Sequence, residues 1–262
     1  MGRTASWDLW SGSGEVCRVL LEVDGVGKRF GGFWALQGLD LQIRPGEIRA
    51  VIGPNGAGKS TLFNLIIGRY SPTVGDIRYQ GKSLIGLSPS ERARLGIAIK
   101  FQITQVFESL SVLDNVRLSL IGPAASLRDL FRNNGLGAED EALRLLDVVG
   151  LREKKHERVG SLVHGHRQWL EIGMALATKP KLLLLDEPTS GMGPDETRKT
   201  AELVKGLGRE LTIVVIEHDM EFVRSVAETI TVLNNGALLA QGTYDTIKND
   251  KRVVDAYLGK GG

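Results

Sequence analysis

The chain has 262 residues with 33 basic and 31 acidic side chains, a formal net charge of +2, so its charge balance gives no case for nucleic acid as a partner. Its length allows one large domain or a domain carrying an insertion. A lone cysteine, Cys17, excludes an intramolecular disulfide, and the richest apolar runs, Leu182–Leu185 and Leu211–Ile216, have strand length rather than the ~20 residues a membrane helix needs.

Residues 1–18 combine a Ser-Gly run with Asp8 and two tryptophans, lack the apolar core of a secretion signal, and read as a flexible tail. Leu20–Val23 reads as a strand. Gly25, Gly27, Gly31 and Gly32 break regular structure after it and leave Phe30 on a loop, either as a hydrophobic plug or as a plate for base stacking. Leu39–Ile43 alternates as a strand does, and Pro45-Gly46 turns it.

Glu47–Ile52 is apolar and β-branched, as a buried parallel strand is. It leads into Gly53-Pro54-Asn55-Gly56-Ala57-Gly58-Lys59-Ser60-Thr61, after which Leu62, Leu65 and Ile66 recur at helical spacing. Glycines at these positions let successive backbone N–H groups curl around phosphate oxygens, and the helix N-terminus adds partial positive charge. Lys59 then reaches the β- and γ-phosphates and the Ser60 hydroxyl holds Mg²⁺. The chain is rich in glycine, 33 in all, so the strand-to-helix context adds weight that the spacing alone lacks.

Asp76–Tyr79 reads as a strand, Pro89–Leu95 as a helix and Ile97–Phe101 as a strand ending at Gln102. From Ser111 to Thr178 the pattern is helical, over Val112–Leu120, Leu127–Arg132, Glu139–Val149 and Arg167–Ala177. A helical block between strands suggests an insertion into an α/β sheet protein. Strand and helix then alternate again, ending in a hairpin through Asn234-Asn235-Gly236 and two short helices, Asp245–Lys248 and Val253–Leu258.

Asp186 and Glu187 directly follow Leu182–Leu185, and charge at the mouth of a core strand must be solvated or paired. In a P-loop protein the Asp at such a strand end serves Mg²⁺, and Glu187 is then placed to orient or deprotonate the attacking water. His218 ends another apolar strand in Ile216-Glu217-His218-Asp219. If parallel strands deliver their ends to one edge, His218 and Gln102 join the P-loop and Asp186 beside the γ-phosphate. Zinc-ligand spacing and a G-x-S-x-G elbow are both absent from the sequence.

Taken in order, GPNGAGKST (53–61), Gln102, LVHGHRQ (162–168), LLLLDEP (182–188) and EHD (217–219) resemble the ATP-binding subunit of an ABC transporter, over about Leu20 to Gly259. KFQ followed by VFESLSVLDNV, then HGHRQWLEIGM, DEPTSGM and the ending VVDAYLG, are similar to importers of branched-chain amino acids and, especially, of urea and short amides. The resemblance implies a RecA-like P-loop NTPase core over about 19–103 and 179–245, an inserted helical subdomain over about 104–178, and C-terminal helices over 245–262. It implies ATP and Mg²⁺ as cofactors, a second ATPase subunit closing head-to-tail on this one, membrane permease subunits, and indirectly a solute-binding protein. The subunit is then peripheral, on the cytoplasmic face of the cell membrane.

By matching position, Gly53 to Thr61 bind the phosphates, Ser60, Gln102 and Asp186 serve the metal, Glu187 is the general base and His218 the switch histidine. Phe30 falls where the family stacks adenine, and His164 and Gly165 belong to the signature that acts on the partner subunit's ATP. Two departures stand out: Val163 occupies the position of a hydroxyl-bearing Ser, and Gly193 that of an Asp or Asn. The same motifs also suit the ATPase of a lipid exporter or a non-transport ABC-type ATP switch.

Overall fold

The structure, a computed structural model, describes residues 19–100, 106–121 and 136–258; Gln102 and the helix expected over Leu127–Arg132 lie outside them. Strands β3 (Ile48–Ile52), β6 (Ile97–Lys100), β7 (Leu182–Asp186), β8 (Thr212–Ile216), β9 (Thr229–Asn234) and β10 (Ala237–Gly242) form one sheet in the order β10-β9-β3-β8-β7-β6. Pairing is parallel throughout except in the β9–β10 hairpin. Leu182 and Leu184 join one buried cluster and Leu183 and Leu185 another; Val214 and Ile216 part from Ile213 and Val215 in the same way. A parallel sheet covered on both faces requires apolar side chains at every position, which accounts for the unbroken runs. Truncating one of these leucines, such as Leu184, to Ala costs about 2–5 kcal/mol.

Strands β1 (Leu21–Phe30), β2 (Phe33–Ile43), β4 (Val74–Tyr79) and β5 (Lys82–Ser83) make a separate antiparallel sheet in the order β2-β1-β4-β5. Its Val23, Leu39 and Leu41 pack with Leu62, Phe63 and Leu65 of helix α1 (Lys59–Ile66) on one face of the large sheet. The other face carries helices α3 (Val112–Ile121), α4 (Leu136–Val148), α5 (His164–Leu176), α6 (Pro194–Leu207) and α7 (Met220–Val226). Val116, Leu146 and Leu170 from this helical block share a single cluster with Leu183 and Val215, so its core is continuous with that of the sheet. Helices α8 (Tyr244–Lys248) and α9 (Lys251–Leu258) follow the hairpin.

Two differences from the sequence reading have physical causes. The strand expected to stop at Val23 runs on to Phe30, because bulges at Val23/Val26, Val26/Lys28 and Lys28/Arg29 absorb the glycines. Gly27 is needed there: a Cβ would lie 2.7 Å from Val74 Cγ2. Helix α5 begins at His164 rather than Arg167, without a side-chain cap from Val163, so the capping signal that marks helix starts in a sequence is missing.

The far end of α1 is fixed by a buried arginine of helix α2 (Pro89–Arg94). Arg92 Nη1 donates to the carbonyls of Leu65 at 2.6 Å and Ile66 at 3.0 Å, and Nη2 to that of Leu84 at 2.7 Å. Carbonyls in the last turn of a helix have no partner within it, and a cation is the favoured one. The N-terminus of α1 is thereby held against the sheet edge that carries the site.

Candidate functional site at the carboxyl edge of the parallel sheet

β3 leaves the sheet at Ile52 and the chain curls through Gly53, Pro54, Asn55, Gly56, Ala57 and Gly58 before α1 starts at Lys59. Gly53, Gly56 and Gly58 have φ of 149°, 79° and 102°, which L side chains rarely adopt. Space is restricted too: a Cβ on Gly58 would stand 2.7 Å from the Ala35 carbonyl oxygen, and one on Gly53 would collide with the carbonyl of Leu233. Asn55, Gly56 and Ser60 are exposed, Pro54 and Thr61 half-buried, and Ala57 buried.

Lys59 is buried, and its Nζ donates to the carbonyls of Gly53 at 2.6 Å and Pro54 at 3.1 Å. α1 has no side-chain N-cap and no acidic residue in its first turn. Its first-turn N–H groups therefore meet no carboxylate from their own turn, and a cation lies over the loop. Both properties suit a polyphosphate.

β8 lies between β3 and β7, so the segment after β8 is flanked by the P-loop and by the segment after β7. Asp186, the last residue of β7, pairs with Ile216, the last of β8. Burial, then the neighbouring Glu187, push the Asp186 carboxyl above the ordinary carboxylate range, while Lys100 and Lys59 pull it back. Lys100 itself is buried and donates from Nζ to the Asp186 carbonyl at 3.4 Å. Burial lowers the pKa of its ammonium, against the pull of Glu171 and Asp186.

Glu187 takes φ of 46°, a left-handed conformation that costs a non-glycine residue about 1–2 kcal/mol. Its N–H still donates to the Ile216 carbonyl at 3.0 Å. The turn swings its carboxylate across the strand ends, where Oε1 lies 3.1 Å from Nε2 of His218. The strand-end residues singled out in the sequence are thus brought together; Gln102 lies outside the described residues.

A buried carboxylate beneath this pair, Glu217, was not singled out. Its only sequence signal is an acidic residue directly after four apolar ones, Ile213 to Ile216.

His164 stands in the first turn of α5, where its Nε2 donates to the Ser190 carbonyl at 3.0 Å with the Gln168 amide 3.1 Å from the same nitrogen. Gly165 is buried against the Glu196 carboxylate, which would have to shift to admit a Cβ. Val163 is 56% exposed. Gly193 caps α6, its N–H donating to Glu196 Oε2 at 3.1 Å. Phe30 ends β1, half exposed, edge-on to Tyr70 at 5.1 Å with the Lys28 ammonium 5.1 Å from its ring centre.

Ser60 and Asp186 offer a hydroxyl and a carboxylate, both hard oxygen donors. Among the described residues, no group of three or more His, Cys, Asp or Glu side chains could hold a metal ion. That set fits Mg²⁺, which binds through one or two protein oxygens and completes its shell with substrate phosphates and water.

A family model described as ABC transporter matches residues 36–190, more than half of the chain. The chain belongs to the ABC transporter family. A second model, described as branched-chain amino acid ATP-binding cassette transporter, matches residues 237–262. The high-affinity branched-chain amino acid transport ATP-binding protein LivG of Escherichia coli (strain K12) is 37% identical over 253 residues, 92% of this chain and 98% of that protein. BraF of Pseudomonas aeruginosa, described in the same words, is 36% identical over 255 residues, 93% of this chain and 99% of that protein.

Among solved structures, a nucleotide-free ATP-binding cassette from an ABC transporter superposes with a TM-score of 0.83 at 29% identity, covering 92% of this chain and 100% of that one. The ADP conformation of an ATP-binding cassette of an ABC transporter gives 0.82 at 29% identity, covering 92% and 99%. The fold is that of the ABC ATPase, an α/β P-loop NTPase of RecA-like type, as the sequence led one to expect.

Proposed function

We propose that this ABC ATPase hydrolyses ATP to ADP and phosphate to drive an importer of small solutes, of the branched-chain amino acid and urea–amide class. The observation that carries the solute class is that the likeness extends beyond the nucleotide-binding core into residues 237–262, and over nearly the full length of LivG. Lipid export, or a switch outside transport, shares the core motifs without calling for that terminal likeness.

In this reading the N–H groups from Gly53 to Thr61, with the Lys59 ammonium, hold the β- and γ-phosphates, and Phe30 meets the adenine ring. Ser60 and Asp186, together with Gln102, would hold Mg²⁺, which supplies charge neutralisation for the phosphates. Glu187 takes the proton of the attacking water; His218 holds that carboxylate through the 3.1 Å contact and touches the γ-phosphate. Because charge spreads over the phosphoryl oxygens in the transition state, the residues here act by placing and stabilising rather than by covalent chemistry.

Residues 19–103 and 179–245 serve as the nucleotide-binding core, 104–178 as the helical subdomain and 245–262 as C-terminal helices. The nucleotide is completed by the signature of a second ATPase subunit, identical or different, while His164 and Gly165 act on the ATP of that partner. Permease subunits dock on the segment after Gln102, a solute-binding protein delivers from the far side, and the subunit sits on the cytoplasmic face. No helix among the described residues is long and apolar enough to cross a membrane, which suits peripheral attachment.

The test is reconstitution with candidate permease and binding-protein subunits, followed by uptake of labelled leucine and labelled urea into vesicles. ATP-dependent uptake of either, abolished by Glu187→Gln, is the expected result. Hydrolysis that moves neither solute and responds to added lipid would replace import by lipid export.

A further inference from the structure

The β7–β8 ladder ends at Asp186 and Ile216, and its last backbone bond is from Glu187 N–H to the Ile216 carbonyl at 3.0 Å. Beyond that bond both strands leave as loops. Glu187 belongs to one and His218 to the other, so the reach between them depends on how the loops are tied. One buried side chain, Glu217, bonds to both loops. Glu217 Oε1 accepts from Thr189 N–H at 2.9 Å and from Thr189 Oγ1 at 2.5 Å. Its Oε2 accepts from His218 N–H at 2.9 Å and from Asp219 N–H at 3.4 Å.

We infer that Glu217 is a positioning residue for hydrolysis: its buried carboxylate fixes the backbone of His218 against that of Thr189 and thereby sets the contact between His218 and Glu187. Each oxygen serves one loop, and each takes two donors. At 3% exposure, water cannot stand in for either oxygen. An acceptor-only group is required, since three of the four donors are backbone N–H groups that cannot turn away. Asp219 extends the same tie by capping α7, accepting from Glu221 N–H at 2.8 Å and Phe222 N–H at 3.0 Å, so the His218 loop is held at both ends.

The inference rests on the proposed roles of Glu187 and His218, and the experiment separates the two. Glu217→Gln keeps size but sets an NH₂ against backbone N–H donors on one side of the clamp. In the full chain within its assembled transporter, kcat for ATP falls about 10- to 100-fold, the size of one lost charge-assisted hydrogen bond, while MgATP affinity changes less than about 2-fold. In a His218→Ala background the same substitution adds little, because the residue it positions is gone. Equal losses of kcat in both backgrounds, or a wild-type kcat in Glu217→Gln where His218→Ala is impaired, overturn the inference and leave the proposed function intact. A wild-type kcat in His218→Ala removes the role of His218 and the inference with it. Should Glu217→Gln not fold, Thr189→Val deletes only the hydroxyl donor: kcat then falls about 2- to 10-fold, and an unchanged kcat overturns the clamp.

Discussion

Nε2 of His218 stands 3.1 Å from Oε1 of Glu187, although the two residues are 31 apart in the chain. The contact exists because β7 and β8 are neighbours that end on the same edge, and because the left-handed turn at Glu187 throws its side chain across. Glu187→Gln keeps the shape and a hydrogen-bonding partner for His218 but removes the proposed base. Phosphate release is expected to slow by about 10²- to 10⁴-fold with MgATP still bound, as read by calorimetry beside a steady-state assay. Turnover at the wild-type rate would show that another group takes the proton.

The glycines of the P-loop are held by collision as well as by φ. Gly58→Ala would drive a methyl to within 2.7 Å of both the Ala35 carbonyl oxygen and Leu36 Cδ2. A loss of about 1–3 kcal/mol in stability follows, seen in urea denaturation, together with weaker nucleotide binding as the loop shifts to make room. A variant as stable as the parent would mean that β2 yields freely.

Val163→Ser places a hydroxyl where α5 has no side-chain cap. The expected gain is about 0.5–2 kcal/mol in thermal or urea stability. In the assembled transporter the same change raises ATPase activity or leaves it unaltered if, as proposed, this helix start acts on the partner's nucleotide. A clear drop would assign Val163 a role of its own.

Asp186 has its pKa raised by burial and by Glu187, so the folded chain binds its proton more tightly than the unfolded chain does. Stability from this group is full below the ordinary carboxylate pKa and is lost as pH rises through the raised value. Denaturation of the nucleotide-free chain at a series of pH values should show that decline for the wild type and a flatter profile for Asp186→Asn. At neutral pH the variant should be the more stable of the two while losing hydrolysis. Parallel profiles would mean that Lys100 already compensates the charge.

The candidate site residues were legible where the backbone itself makes the site. Gly53 to Thr61 carry their geometry in local spacing, and Asp186, Glu187 and His218 could be placed together because parallel strands that end alike share an edge. Glu217 was not legible, since its meaning lies in bonds to Thr189, 28 residues away, which no local pattern records. Lys100 is similar: a lysine ending a strand reads as solvated, yet it is 2% exposed beneath the carboxylates. The early strands were misjudged in length because a glycine reads as a break, whereas paired strands can bulge around it. That these strands form a sheet of their own is a matter of long-range pairing, which periodicity does not specify.

Lys59 gives the P-loop a property that spacing does not convey. Its ammonium is engaged with the carbonyls of Gly53 and Pro54, which brace the cation over the loop before any phosphate arrives. In the proposed function the loop is therefore a counter-ion fixed in advance: formally charged oxygens gain from it, and an uncharged nucleoside does not. Substituting Lys59 has two effects, because the loop loses an internal brace along with its cation.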